Sequence, residues 1–197
     1  IQTAEGALTE THSMLQRMVT LATQSANGTY NSTARTAIGA EVTALKEELN
    51  RIASTTDYNG VKPLNQTVSI TVQIGPTAGE KLQIASAKMG STALSVAAVD
   101  VSTVSKANSA ITTINKAINT VSTHRAKLGA SQNRLEHTIN NLKTTNENMT
   151  AAESRIRDTD MAKEMAAFTK NNILNQAAQS MLSQANQQPQ GVLSLLR

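Results

Sequence analysis

From Ile111 to Ile156 the chain steps 3, 4, 3, 4 without a slip through Ile111, Ile114, Ile118, Val121, Arg125, Leu128, Gln132, Leu135, Ile139, Leu142, Asn146, Met149, Glu153 and Ile156. That spacing is the seam of a coiled coil. No Pro interrupts it, and Gly129 lies off the seam. With about 1.5 Å of rise per residue, it predicts a rod about 70 Å long. The polar seam residues cost stability but fix register and partner.

Two shorter helices precede this one. Ala4, Leu8, Thr11, Leu15, Met18 and Ala22 form one stripe over residues 1–26. The phase holds from the outset, so Ile1 reads as lying within a helix, and a natural N-terminal portion is expected before it. Gly28 suits a left-handed cap. Asn31 or Ser32 then caps a second helix, whose stripe is Ile38, Val42, Leu45, Leu49 and Ile52. Asp57-Tyr58-Asn59-Gly60 is a turn signal.

Residues 66–85 change period. Val68, Ile70, Val72 and Ile74 alternate with polar residues, and Leu82 and Ile84 resume the alternation after Gly75-Pro76 and Ala78-Gly79. This predicts one β-hairpin, too small to stand alone, leaning on the helices. Asp158-Thr159-Asp160 breaks the long phase. A looser stripe follows through Met161, Met165, Phe168, Ile173, Leu174, Ala178, Met181, Leu182 and Ala185. Gln188-Pro189-Gln190-Gly191 is expected to end that helix, leaving the apolar tail Val192-Leu193-Ser194-Leu195-Leu196. An apolar terminus of this kind calls for cover by another chain.

Composition agrees with helix pairs rather than a sphere. Aromatics make up only 2% of the 197 residues, and the apolar content is Ala, Ile, Leu, Val and Met. The absence of Cys excludes disulfides, thiolate metal sites and a cysteine nucleophile. A net charge of +4 is scattered along the chain, which with so few aromatics argues against nucleic acid as a partner. No apolar run is long enough to insert in a membrane, and no cationic, apolar signal segment opens the chain.

Nothing points to catalysis, a metal or a cofactor. His12, His124 and His137 sit on separate stretches, with no i, i+4 ligand pair. Asp158 and Asp160, two apart, face different sides of a helix. Neither a phosphate-binding glycine loop nor a GxSxG elbow occurs. Sequons at Asn27, Asn31, Asn65 and Asn148 fit chance in so Asn-, Ser- and Thr-rich a chain. The residues alone therefore describe a mainly α, elongated coiled-coil rod with one small hairpin, self-associating and not an enzyme.

Several stretches resemble bacterial flagellin. They include Gln2-Thr3-Ala4-Glu5-Gly6-Ala7-Leu8, Met14-Leu15-Gln16-Arg17-Met18, Leu21 through Thr29, and Asp57-Tyr58-Asn59-Gly60-Val61. Further on come Arg125-Ala126-Lys127-Leu128-Gly129-Ala130, Asn133-Arg134-Leu135 and Asn140-Asn141-Leu142. The most specific are Ala152 through Asp158, Asp160-Met161-Ala162, Gln184-Ala185-Asn186-Gln187 and Val192 through Leu196. Two departures stand out: the family's N-terminal helix is absent, and its hypervariable region has shrunk to about the hairpin. Pro63 also stands where the family usually has an apolar residue, which predicts a bend.

The resemblance implies an elongated antiparallel helical bundle, with a rod domain over residues 1–160, including the hairpin at about 66–85, and an inner-core helical segment over 161–197, unpaired or mobile alone. It implies a secreted, extracellular subunit of the flagellar filament that pairs with other flagellin subunits. A hook–filament junction protein related to flagellin is the alternative. It further implies capture by the flagellin export chaperone. The assembly and chaperone positions are Met165, Phe168, Ile173, Leu174, Met181, Leu182, Leu193, Leu195 and Leu196. Lastly it implies recognition by the vertebrate receptor Toll-like receptor 5 through Arg17, Leu21, Glu41, Leu15 and Gln24. In that pattern Arg17 is the charged anchor and Leu21 the apolar one. Val19 and Thr20 stand where many strongly stimulating relatives carry charges, which implies reduced affinity.

Overall fold

The computed structural model describes residues 1–67 and 69–195, with side chains to residue 186. It is mainly α-helical with one two-stranded antiparallel sheet. The chain falls into two compact units, Ile1–Leu142 and Lys143–Arg197.

In the first unit, α1 spans Gln2–Ala26 and α2 spans Ser32–Thr55. α1 buries Ala4, Leu8, Thr11, Leu15, Met18 and Ala22, the stripe read from sequence, and adds Leu21 and Ser25. Asn31 caps α2, its side chain accepting the Ala34 N–H at 2.8 Å. The helices are antiparallel neighbours across a short loop. Gly28 is not a left-handed cap. α1 ends instead on extended Asn27 (φ −72°, ψ 127°), whose N–H returns to the Gln24 carbonyl, so no positive φ is required.

Left-handed backbone appears in the next turn. Asn59 (φ 51°) and Gly60 (φ 80°) connect a two-residue bridge between Tyr58 and Val61, and the Asp57 carboxylate accepts the Gly60 N–H at 2.9 Å. Pro63 follows, and its carbonyl accepts the Ser86 hydroxyl and the Ala87 N–H, which ties the connection to the chain beyond the hairpin. The hairpin pairs β1, Ile70–Gln73, with β2, Lys81–Ile84. Its register sets Ile70 opposite Ile84 and Val72 opposite Leu82, so the apolar residues share one face. That face borders a cavity of about 280 Å³ shared with Ile1, Ala4, Tyr58, His124 and Leu128, which seats the hairpin beside the start of α1. Val68, part of the alternating pattern, lies outside the described residues.

Residues 86–103 carry no regular period, yet Met89, Leu94, Val96, Val99 and Val101 enter the core. Side chains hold this segment down: Lys46 Nζ donates to the Ala97 and Val99 carbonyls, Asn50 accepts the Ser91 N–H, and the Ser25 hydroxyl donates to the Val101 carbonyl. Asp100 then bonds Lys106 at 2.7 Å and Ser102, and these bonds hold its carboxyl down at about 2.

α3 spans Val104–Arg157. Its buried positions are Ala107, Ala110, Ile114, Ala117, Val121, His124, Leu128 and Ser131. The seam therefore keeps the 3, 4 rhythm but not the whole residue set read from sequence. Ile114, Val121 and Leu128 hold, whereas Ile118, Arg125 and Gln132 are only half-buried. The buried set thus combines small Ala107, Ala110, Ala117 and Ser131 with larger Ile114, Val121, His124 and Leu128. Arg125 reaches Glu5 of α1 at 3.6 Å, while Ser25 at the far end of α1 meets Val101. α1 and the first half of α3 thus run antiparallel.

Beyond Ser131 the seam loses cover, and every described side chain from Ile139 to Asn186 is exposed. In the second unit α3 ends at Arg157, and α4 spans Met161–Leu195. Asp160 caps α4, accepting the Ala162 and Lys163 N–H groups at 3.0 and 3.2 Å, which explains the phase break at 158–160. Pro189 does not end the helix as expected, since α4 continues to Leu195.

Candidate functional site

Two surfaces gather the residues singled out in the sequence. The first is the outer face of α1 against α2. Arg17 Nε donates to Glu41 Oε1 at 2.8 Å, and Arg17 Nη2 lies 2.7 Å from the same oxygen. Both side chains are about half exposed, at 53% and 43%. The antiparallel pairing of α1 and α2 makes this contact. Gln24, seven residues from Arg17 on the same helix face, is exposed, with Thr20 exposed between them.

Leu15 and Leu21 do not belong to this surface. Leu15 is fully buried and Leu21 is 2% exposed, both within the core cluster. A shared face at i, i+4 does not make both residues outward, because Arg17 stands at the margin of the stripe that α1 buries. The surface that remains is Arg17, Thr20, Gln24 and Glu41.

The second surface is α4. Met165, Phe168, Ile173, Leu174, Met181 and Leu182 are each more than half exposed, as is Met161 before them. Ile139, Met149 and Ile156 on α3 are likewise exposed. In water such a row of apolar side chains gains nothing until a partner removes its surface, at about 25 cal/mol per Å². Leu193 and Leu195 fall in the last turns of α4, outside the described side chains, and Leu196 lies outside the described residues.

The histidines do not converge. His12 bonds Gln16 at 3.0 Å on α1, while His137 is exposed on α3. His124 is buried at 6% exposure, and that burial, with Lys127 nearby, lowers its pKa. Among the described residues no cluster of His, Cys, Asp or Glu could hold a metal ion. None of the described helices is long and apolar enough to cross a membrane.

The chain is similar to bacterial flagellins in sequence and in fold. The bacterial flagellin N-terminal helical region matches residues 1–69, and the bacterial flagellin C-terminal helical region matches residues 111–196. Flagellin of Halalkalibacterium halodurans is 52% identical over the whole of this chain and 74% of its own length. Flagellin of Bacillus subtilis is 48% identical, again over the whole chain and 76% of the relative. In three dimensions the crystal structure of Bacillus cereus flagellin superposes with a TM-score of 0.64 at 31% identity, covering 77% of this chain and 88% of that one.

Proposed function

This chain belongs to the bacterial flagellin family, structural subunits of the extracellular flagellar filament and not enzymes, and on that premise we propose that its two exposed surfaces are docking surfaces. The apolar side chains of α4, with the exposed Met149 and Ile156 of α3, are the assembly surface. It pairs with other flagellin subunits in the filament and with the export chaperone before secretion. The observation that supports this reading is the exposure of the large apolar side chains Phe168, Ile173, Leu174 and Leu182 along α4. Amphipathic helices lay such anchors into grooves and order on binding. A filament grows where a surface of one subunit meets a different surface of the next and the contacts do not close.

The test is calorimetric titration of the export chaperone with the chain and with Phe168→Ala, Leu174→Ala and Met181→Ala. These side chains are exposed, so truncation leaves the fold intact. Each anchor is expected to weaken binding about tenfold. Unchanged affinity in all three would remove the assignment.

The polar surface Arg17, Thr20, Gln24 and Glu41 is the receptor-facing patch for Toll-like receptor 5. Its support is the pre-formed Arg17–Glu41 pair, which holds an Arg in a fixed outward geometry suited to a hot spot. Arg17→Ala should reduce receptor binding by about 2 kcal/mol or more. The exposed ion pair itself is worth only about 0–1 kcal/mol of stability, so binding and folding separate cleanly. A folded Arg17→Ala chain that binds the receptor undiminished rules the patch out.

A further inference from the structure

The sequence contains two Asn-Gly steps, Asn27–Gly28 and Asn59–Gly60, and the fold treats them differently. We propose that Asn27 is a site of spontaneous deamidation through a cyclic imide, and that the fold protects Asn59 from the same reaction. The chemistry needs only water. The Gly backbone nitrogen, after losing its proton to solvent hydroxide, attacks the Asn side-chain carbonyl carbon. A new C–N bond forms, the carbonyl carbon–Nδ2 bond breaks, and ammonia leaves. Water then opens the five-membered imide at either carbonyl, giving Asp or isoaspartate. A following Gly favours the step because no Cβ hinders the swing of the backbone.

Steric access does not separate the two sites. A Cβ placed on either Gly28 or Gly60 would meet nothing within 4 Å. Hydrogen bonding does. The Gly60 N–H donates to the Asp57 carboxylate at 2.9 Å. An amide bonded to an anion is harder to deprotonate and is held away from its own Asn side chain. Asn59 and Gly60, both at positive φ, are further fixed by the reciprocal bonds between Tyr58 and Val61. The Gly28 N–H, by contrast, has no acceptor among the described residues.

The electrophile at Asn27 is also prepared. The Thr29 N–H donates to Asn27 Oδ1 at 3.2 Å. Attack turns that oxygen into an oxyanion, so the donor stands where negative charge develops. Asn27 is exposed, and water reaches the imide once it forms.

The product matters to the loop that joins α1 and α2. Arg35 clamps this loop, donating through Nε to the Ser25 carbonyl at 3.0 Å and through Nη2 to the Asn27 carbonyl at 3.1 Å. The Tyr30 N–H also bonds the Asn27 carbonyl, at 3.4 Å. Isoaspartate reroutes the main chain through Cβ and the former side-chain carbonyl, and the α-carbonyl that Arg35 and Tyr30 share becomes a free carboxylate. Both contacts shift, and a carboxylate appears three residues from Gln24.

The experiment follows both sites in one sample. The full chain is held at pH 8.5 and 37 °C and digested with trypsin at intervals. Cleavage after Arg17 and Arg35 isolates Asn27. Cleavage after Arg51 and Lys81 isolates Asn59, because Pro63 protects Lys62. Fragment mass spectra locate the gain of about 1 Da that replacement of NH₂ by OH produces. Asn27 is expected to convert about tenfold faster than Asn59 in native buffer, a barrier difference of about 1.4 kcal/mol, as loss of a hydrogen bond to a charged group would give. In denaturing urea the two rates should converge. Asp57→Ala, which frees the Gly60 N–H, should raise the Asn59 rate towards that of Asn27. A native Asn59 that converts as fast as Asn27, or an Asn59 rate unmoved by Asp57→Ala, would overturn the proposal.

Discussion

Replacing Leu21 by Ala tests where the core of α1 stops and its surface begins. Leu21 is 2% exposed and packs in a cluster that includes Met18, Ala22, Val42 and Val101. Truncation removes buried methyl groups and leaves a cavity between α1, α2 and the segment that ends in Val101. Substitutions of this kind cost about 3–5 kcal/mol when the site cannot collapse. For a unit of this size that lowers Tm by about 6–20 °C, at about 2–4 °C per kcal/mol. Urea denaturation followed by circular dichroism gives the free energy. Arg17→Ala is the paired control, since its half-exposed ion pair predicts a loss of about 0–1 kcal/mol. The reasoning is refuted if Leu21→Ala loses under about 1 kcal/mol yet abolishes receptor binding, because Leu21 would then be an outward anchor.

Further outcomes follow from individual residues. His124 is buried with a lowered pKa, so the folded chain binds fewer protons there than the unfolded one. Its contribution is whole above the unfolded value near 6.5 and is lost as pH falls from there through the lowered folded value. The urea midpoint should therefore drop between pH 7 and pH 5, and His124→Phe should flatten that drop. Asn31→Ala removes the cap of α2 and should cost about 1 kcal/mol by denaturant titration; no loss would discount the bond to Ala34. Gly60→Ala places a Cβ at φ +80° and should cost roughly 1 kcal/mol, whereas Gly28→Ala, in a loop with no positive φ, should cost clearly less.

Period and punctuation carried much of this architecture. The Ala4-to-Ala22 stripe, the Asn31 cap, the Asp57–Gly60 turn, the hairpin and the break before Met161 each rest on a local signal that the tertiary structure did not override. Three features were hidden for physical reasons. The α3 seam uses small Ala107, Ala110, Ala117 and Ser131, which a 3, 4 pattern anchored on Ile111 and Ile118 passes over, and that phase lands on Arg125 and Gln132 instead. Residues 86–103 have no period because they are held by side chains from α1 and α2, and only the folded partners reveal them. Leu15 and Leu21 sit in the same helical turns as Arg17, and which side of that boundary is wet depends on where α2 lies. Arg17 and Glu41 were singled out through the resemblance alone, and it is the antiparallel pairing of α1 and α2 that brings them into contact.

The central claim is that the exposed apolar side chains of α4 form a docking surface covered only by a partner. Hydrogen exchange of the chain, free and bound to the export chaperone, tests it most directly. The account predicts that amides of residues 161–186 exchange far faster than those of α1 and α2 in the free chain, and that the chaperone protects them strongly. Strong protection of 161–186 in the free chain, or fast exchange that the bound chaperone leaves unchanged, would contradict it.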